Sequence, residues 1–160
     1  MKIFFYITFL FIILSCQNGP RTHKYFDEET GQYIIDTLPY NDLRDYPLIE
    51  KSQNKDSLIA AMIETDYVHE RFIGFAGYYP EQYARFERLL ELVSTKELLE
   101  LTKHENPVIR VYAYKGLQQE NSIYLKQAQF NLKEDTTEIK HMGGCIVGRF
   151  KIMDYIKMSD

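Results

Sequence analysis

The chain contains no tryptophan, only two cysteines and no apolar run long enough to span a bilayer. The longest run, Ile3 to Leu14, is interrupted by Thr8 and falls short of the ~20 apolar residues that a transmembrane helix needs. Motif-borne chemistry is missing as well. There is no Cys-x-x-Cys, no Gly-x-Ser-x-Gly, no phosphate-binding loop and no dinucleotide fingerprint. The four histidines, His23, His69, His104 and His141, never stand four apart, and no His-Glu-x-x-His occurs. No metal site and no cofactor are therefore expected. Basic residues are outnumbered, 19 against 23 acidic ones, and charges of both signs are interleaved. Nucleic acid is excluded as an expected partner, because its phosphates need a concentrated basic face.

What is present begins at the N-terminus. Lys2 supplies a short positive segment, the apolar run follows, and Ile13-Leu14-Ser15-Cys16 comes next. That order fits a secretory signal peptide, and its end resembles the lipobox of bacterial lipoproteins. The resemblance implies cleavage before Cys16 and acylation of its thiol, so that the membrane is a partner through the lipid anchor. Stable anchoring takes more than one acyl chain, which that family supplies on a single cysteine. Gln17 follows the cysteine where an Asp would imply retention at the inner membrane. The resemblance therefore implies the outer membrane of the cell envelope, with the domain facing the periplasm. With Cys16 modified, Cys145 is the one remaining thiol, and the fold must rest on its core instead of on disulfides.

The expected organisation is a signal peptide over 1–15, a lipidated tether over 16–24, an irregular N-terminal arm over 25–56 and a helical domain over 57–160. The tether is polar and contains Gly19 and Pro20. In the arm, Asp27-Glu28-Glu29-Thr30-Gly31 is a turn-like cluster flanked by Tyr25-Phe26 and Tyr33-Ile34-Ile35, which leaves a short hairpin open. Helical spacing then predicts a helix from Asp56, with Leu58, Ile59, Met62 and Ile63 on one face. A second is expected over Val68, Phe72, Phe75 and Tyr79, weakened by Gly74 and Gly77. A third starts at Pro80 and buries Tyr83, Phe86, Leu90 and Val93. Ser94 and Glu97 form a capping box for a fourth. Asn106 and Pro107 open a fifth, and another is expected from Ser122 to Leu132. Beyond the polar break at Glu134 to Thr137, β-leaning runs at Ile139–Met142 and Phe150–Met158 flank a Gly-rich segment. They predict a small C-terminal β-hairpin or extended tail.

Leu98 to Leu117 resembles one HEAT-type repeat. Asn106, Pro107, Val108, Arg110, Ala113 and Leu117 occupy matching positions, while Tyr112 and Gly116 depart from the usual smaller residue and alanine. The resemblance implies a mostly α fold, a short HEAT-like α-α superhelix whose family members bind proteins. It implies that Arg110 braces the turn between paired helices. One repeat cannot bury its own face, so neighbouring helices must complete the stack.

Thirteen tyrosines and ten phenylalanines are the strongest compositional excess. Tyrosine is enriched at interface anchors. Tyr78, Tyr79, Tyr83, Arg85, Arg88 and Tyr114 are therefore the expected interaction surface, set against the ordinary reading that such rings fill a core. Cys145 reads first as a small buried residue in a tight turn, and second as a nucleophile. The expected function is a non-catalytic interaction module for an envelope protein, of inhibitor or immunity type in one version. A small-molecule or glycan binder using the Tyr-rich face is the alternative. An enzyme centred on Cys145 or a histidine is the remaining one.

Overall fold

The computed structural model describes residues 22–27, 32–37 and 43–159. The expected signal peptide over 1–15, Cys16 and residues 17–21 lie outside the described residues. The chain divides between Pro39 and Tyr40 into two compact units. In the first, β1 (Thr22–Asp27) and β2 (Gln32–Thr37) pair antiparallel, with Thr22 opposite Thr37 and Asp27 opposite Gln32. Thr22 to Lys24, expected in the tether, are therefore part of a strand, and the expected irregular arm begins instead with a hairpin. The strands flank the Asp27–Gly31 cluster, whose composition suits a reversal of the chain.

The second unit is mostly helical, with a small three-stranded sheet. It starts earlier than the expected boundary at residue 57. A 3₁₀ turn (Leu43–Asp45) leads into the short helix α1 (Pro47–Glu50), whose Ile49 is buried in the core. Helix α2 (Lys55–Thr65) is capped by Asn54, whose side chain accepts from the backbone N–H groups of Asp56 and Ser57. Asp56, from which the helix was expected to start, is one of the residues being capped. Asp66 then takes the left-handed conformation at φ 54° and ends the helix.

The largest departure follows. Val68 to Tyr79 is not a helix: Val68–Ile73 is strand β3, and Ile73 bridges Tyr78 across a tight reversal. Gly74 and Gly77 adopt φ of +71° and +67°. Those values suit glycine and break an α-helix. The spacing of Val68, Phe72, Phe75 and Tyr79 fitted a helix, but only Tyr79 and Val68 of the four are buried, and Phe75 is exposed. The hydrogen-bond partner of this segment, β4 (Glu138–Gly144), lies about seventy residues away and runs parallel to it, Val68 beside His141. No local pattern reports such a partner.

Helix α3 (Glu81–Leu92) forms close to where expected and buries Tyr83 and Phe86, but Leu89 is buried where Leu90 was expected; Leu90 and Val93 are half-buried, and Val93 caps the C-terminus. Ser94 and Glu97 make the reciprocal capping box of α4 (Thr95–Leu101). Asn106 caps α5 (Pro107–Gln119), with Pro107 in its first turn. Every residue of α5 from Val108 to Leu117 except Arg110 is buried, as befits a helix surrounded on all sides. It contacts α2, α4, α6 (Leu125–Leu132), β3 and β4. A Cβ on Gly116 would lie 2.6 Å from a Leu90 methyl, so the close approach there accounts for glycine at that position.

The C-terminal hairpin is present but is part of a larger sheet. β4 pairs antiparallel with β5 (Ile146–Lys151) around the two-residue turn Gly144-Cys145, and β3 completes the order β3-β4-β5. The end of the chain differs from expectation. Ile152–Ser159 is helix α7, not an extended run, and it buries Ile152 and Ile156. Their four-residue spacing places both on one helical face, while the β-branched content of the segment had favoured a strand.

Candidate functional site

An aromatic chain runs through the core. Tyr79 meets Tyr83 at a 5.8 Å centroid separation, Tyr83 meets Phe86 at 5.3 Å and Phe86 meets Tyr112 at 4.9 Å. The first two contacts are edge-to-face, the arrangement favoured by ring quadrupoles. Each buried hydroxyl has a partner: Tyr79 donates to Glu87 at 2.6 Å, and Tyr83 accepts from Gln119 at 2.9 Å. Tyr112 accepts from the backbone N–H of His69 at 2.8 Å and donates to its carbonyl at 3.2 Å. A smaller side chain at 112 would leave the edge of β3 unheld.

These burials correct the expected interaction surface. Tyr79, Tyr83 and Tyr114 are core residues, and Tyr78 is half-buried with its hydroxyl against that of Tyr46. Arg85 pairs with Glu81, and Arg88 pairs with Glu91 while donating to the Ser52 carbonyl. The structure does not assemble those six positions into an exposed tyrosine face, because the rings fill the space between α3, α5 and β3. Cys145 is likewise not buried; it sits exposed at the hairpin tip.

Asn106, Pro107 and Arg110 come together at one turn. Arg110 donates to the carbonyls of His104 (2.9 Å) and Glu105 (2.8 Å), to Asp135 (2.8 Å) and to the Thr137 hydroxyl (3.0 Å). This guanidinium ties the α4–α5 turn to the segment entering β4. His104 follows α4, and its Nδ1 accepts from the Asn106 N–H at 3.0 Å.

The densest polar cluster centres on Glu70, which the sequence does not single out. Tyr112 fixes the backbone at His69, and the next side chain on β3 meets three elements. Glu70 Oε2 is paired with Lys115 of α5. Its Oε1 meets His141 Nε2 of β4 at 3.1 Å and accepts from the Tyr155 hydroxyl of α7 at 3.0 Å. Gly143 makes room for this, since a Cβ there would lie 2.8 Å from Glu70 Cγ. The His141 ring stands edge-on to Phe150 at 5.7 Å and tilts toward Tyr155 at 5.3 Å. The partners lie 45, 71 and 85 positions from Glu70, so no motif links them.

Burial works against the Glu70 charge, but the His141 bond, the Lys115 charge and bond and the Tyr155 bond outweigh it and hold the carboxyl at about 2. Burial lowers the Lys115 ammonium against the pull of Glu70, and it raises the Tyr155 phenol. His69 is lowered by burial and by neighbouring His141. The Nδ1 atoms of both histidines are buried without a hydrogen-bond partner among the described residues. The cluster holds an ionised carboxylate against a paired ammonium.

Acid sensitivity follows. His69 binds its proton less readily folded than unfolded, so its contribution is lost as pH falls below its ordinary value of 6.5. Glu70 contributes stability above its ordinary 4.5, lost as pH falls toward about 2. Since Glu70 is about one-third exposed, the loss is discounted to about 1–2 kcal/mol. Urea midpoints should be highest near neutrality, decline below pH 6.5 and decline further below 4.5. Glu70→Gln should flatten the lower limb and His69→Gln the upper one. A flat profile from pH 7 to 3 would contradict both assignments.

Of two clefts, one adjoins the cluster and the other lies apart from it. One, of about 240 Å³, is lined by Glu70, His141, Phe150, Tyr155 and Met158. The other, of about 330 Å³, lies between α2 and α4 and has Ile59, Val93 and Leu101 within a rim that includes Lys55, Glu97 and Lys103. Lys55 and Glu97 pair across it at 2.6 Å. Among the described residues no three His, Cys, Asp or Glu side chains are grouped to hold a metal ion, and no helix is long and apolar enough to cross a membrane. The chain matches no known family model, no curated protein and no solved structure.

Proposed function

We propose that the chain is a bacterial lipoprotein, cleaved before Cys16 and held in the cell envelope by acyl chains on that residue, and that its helical unit is a non-catalytic protein-interaction module. The lipobox-like segment Ile13-Leu14-Ser15-Cys16 supports the anchor, and Gln17 supports the periplasmic face of the outer membrane. The α4–α5 pair, with Asn106, Pro107 and Arg110 at its turn, supports a HEAT-like stack in which α2, α3 and α6 supply the neighbouring helices. The observation that carries the binding role is the cleft between α2 and α4. An apolar floor of Ile59, Val93 and Leu101 inside a charged rim has the anatomy of a protein interface. An envelope protein presenting an apolar side chain among charges is the fitting partner, and inhibition or immunity is one service such a module performs.

Cys16→Ala should abolish palmitate labelling and release the protein from membranes while leaving its circular dichroism unchanged. Persistent labelling would remove the anchor. For the binding role, a photo-crosslinking residue at Ile59 should give a discrete protein adduct in the native envelope. Lys103→Glu, an exposed rim change, should weaken that adduct. An adduct pattern indifferent to the rim charge, or none at all, would overturn the module.

A further inference from the structure

The second cleft lies where α7 meets the sheet, away from the α2–α4 surface, and has a different chemistry. We propose that it binds a small uncharged ring compound carrying one hydrogen-bond donor, of the phenol or indole type.

Size sets the first limit. The cleft holds about 240 Å³. A cavity of about 150 Å³ accepts benzene, and drug-sized ligands occupy roughly 300–1,000 Å³. One ring system with a short substituent fits between these bounds. The walls set the second limit. Phe150, Tyr155 and the His141 imidazole present ring surfaces, and Met158, largely exposed on α7, forms the rim with a flexible thioether. Ring and thioether walls suit an aromatic guest.

Glu70 sets the third. An ionised carboxylate offers about four acceptor positions. Lys115 takes one on Oε2, and His141 and Tyr155 meet Oε1. Among the described residues these contacts leave one acceptor position unfilled, on Oε2, and Glu70 itself lines the cleft, where a guest's donor can reach for it. The charges select a neutral guest. Lys115 offsets Glu70 within the cluster, so no net field attracts an ion strongly enough to repay its desolvation. An anion would also face Glu70, which stays ionised down to about pH 2.

The test uses the purified full-length protein and four probes: phenol, indole, benzoate and benzylammonium. The readout is the amide shifts of Glu70 and Gly143 and the Met158 methyl, with the core methyl of Met62 as an unmoved control. Phenol or indole should saturate with a dissociation constant on the order of 1 mM or tighter, a modest return for so few atoms. The charged isosteres should bind at least tenfold more weakly. Met158→Trp alters an exposed rim position and should close the mouth, weakening phenol at least tenfold as read on the Glu70 and Gly143 amides. Tyr155→Phe keeps the ring but vacates an acceptor position, so phenol binding should hold or tighten. Absence of saturable shifts, equal binding of the charged isosteres, or indifference to Met158→Trp would each overturn the site. The crosslinking result at Ile59 is independent of all three.

Discussion

Glu70→Ala is expected to lower the unfolding free energy by about 3 kcal/mol, the lower end of the cost of breaking a buried ion pair. The carboxylate is itself about one-third exposed, but its partner Lys115 has little contact with solvent. Removing Glu70 leaves that ammonium in the core without a counter-charge, and it leaves the Tyr155 hydroxyl without its acceptor. The cost is therefore mostly the stranded partner and not the worth of the pair. Removing both charges tests this directly. Glu70→Ala combined with Lys115→Met should recover at least half of the loss, because a methionine of similar length can fill the Lys115 site. Urea denaturation of the two single variants and the double variant gives the coupling. A single-variant loss under about 1 kcal/mol would mean that water already screens the pair.

Arg110→Ala should cost about 2–3 kcal/mol, the sum expected of a charge-assisted network losing its only cation. Four acceptors depend on this guanidinium: two turn carbonyls, Asp135 and the Thr137 hydroxyl. Burial pushes the Asp135 carboxyl up, but bonds from Thr137 and from Arg110, with the latter's charge, bring it below its ordinary value. Without Arg110 the acid keeps only the Thr137 bonds. Arg110→Lys should recover little, since an ammonium cannot present a planar fork to four acceptors. Hydrogen exchange should localise the loss to the α4–α5 turn and the start of β4. A lysine variant as stable as the parent would show that charge alone suffices there.

How much of this could be read from the chain depends on the range of each interaction. The capping box at Ser94 and Glu97, the Asn106 cap with Pro107 and the apolar face of α3 join residues within one or two turns. Such pairs are visible in sequence because the same few residues both make and satisfy the local bonds. The Gly144-Cys145 reversal between two β-leaning runs is legible for the same reason. The excess of tyrosine was visible too, but not its direction. A tyrosine suits an interface or a core according to whether its hydroxyl finds a buried partner. Glu87, Gln119 and the His69 backbone are those partners, and nothing in the spacing names them.

The candidate sites divide in the same way. The anchor proposed at Cys16 rests on a linear string, Ile13-Leu14-Ser15-Cys16, read without any fold. Glu70 is not legible in that way, because its surroundings are assembled from β3, α5, β4 and α7. By itself the sequence determined the helices whose caps and apolar faces are local, and the closing hairpin. Only the tertiary structure decided that Val68–Ile73 is a strand, that Ile152–Ser159 is a helix and that the tyrosines turn inward. The physical reason is shared. A strand borrows its hydrogen bonds from a distant segment, and a buried polar group borrows its partner. Each is settled when the chain folds and not along its length.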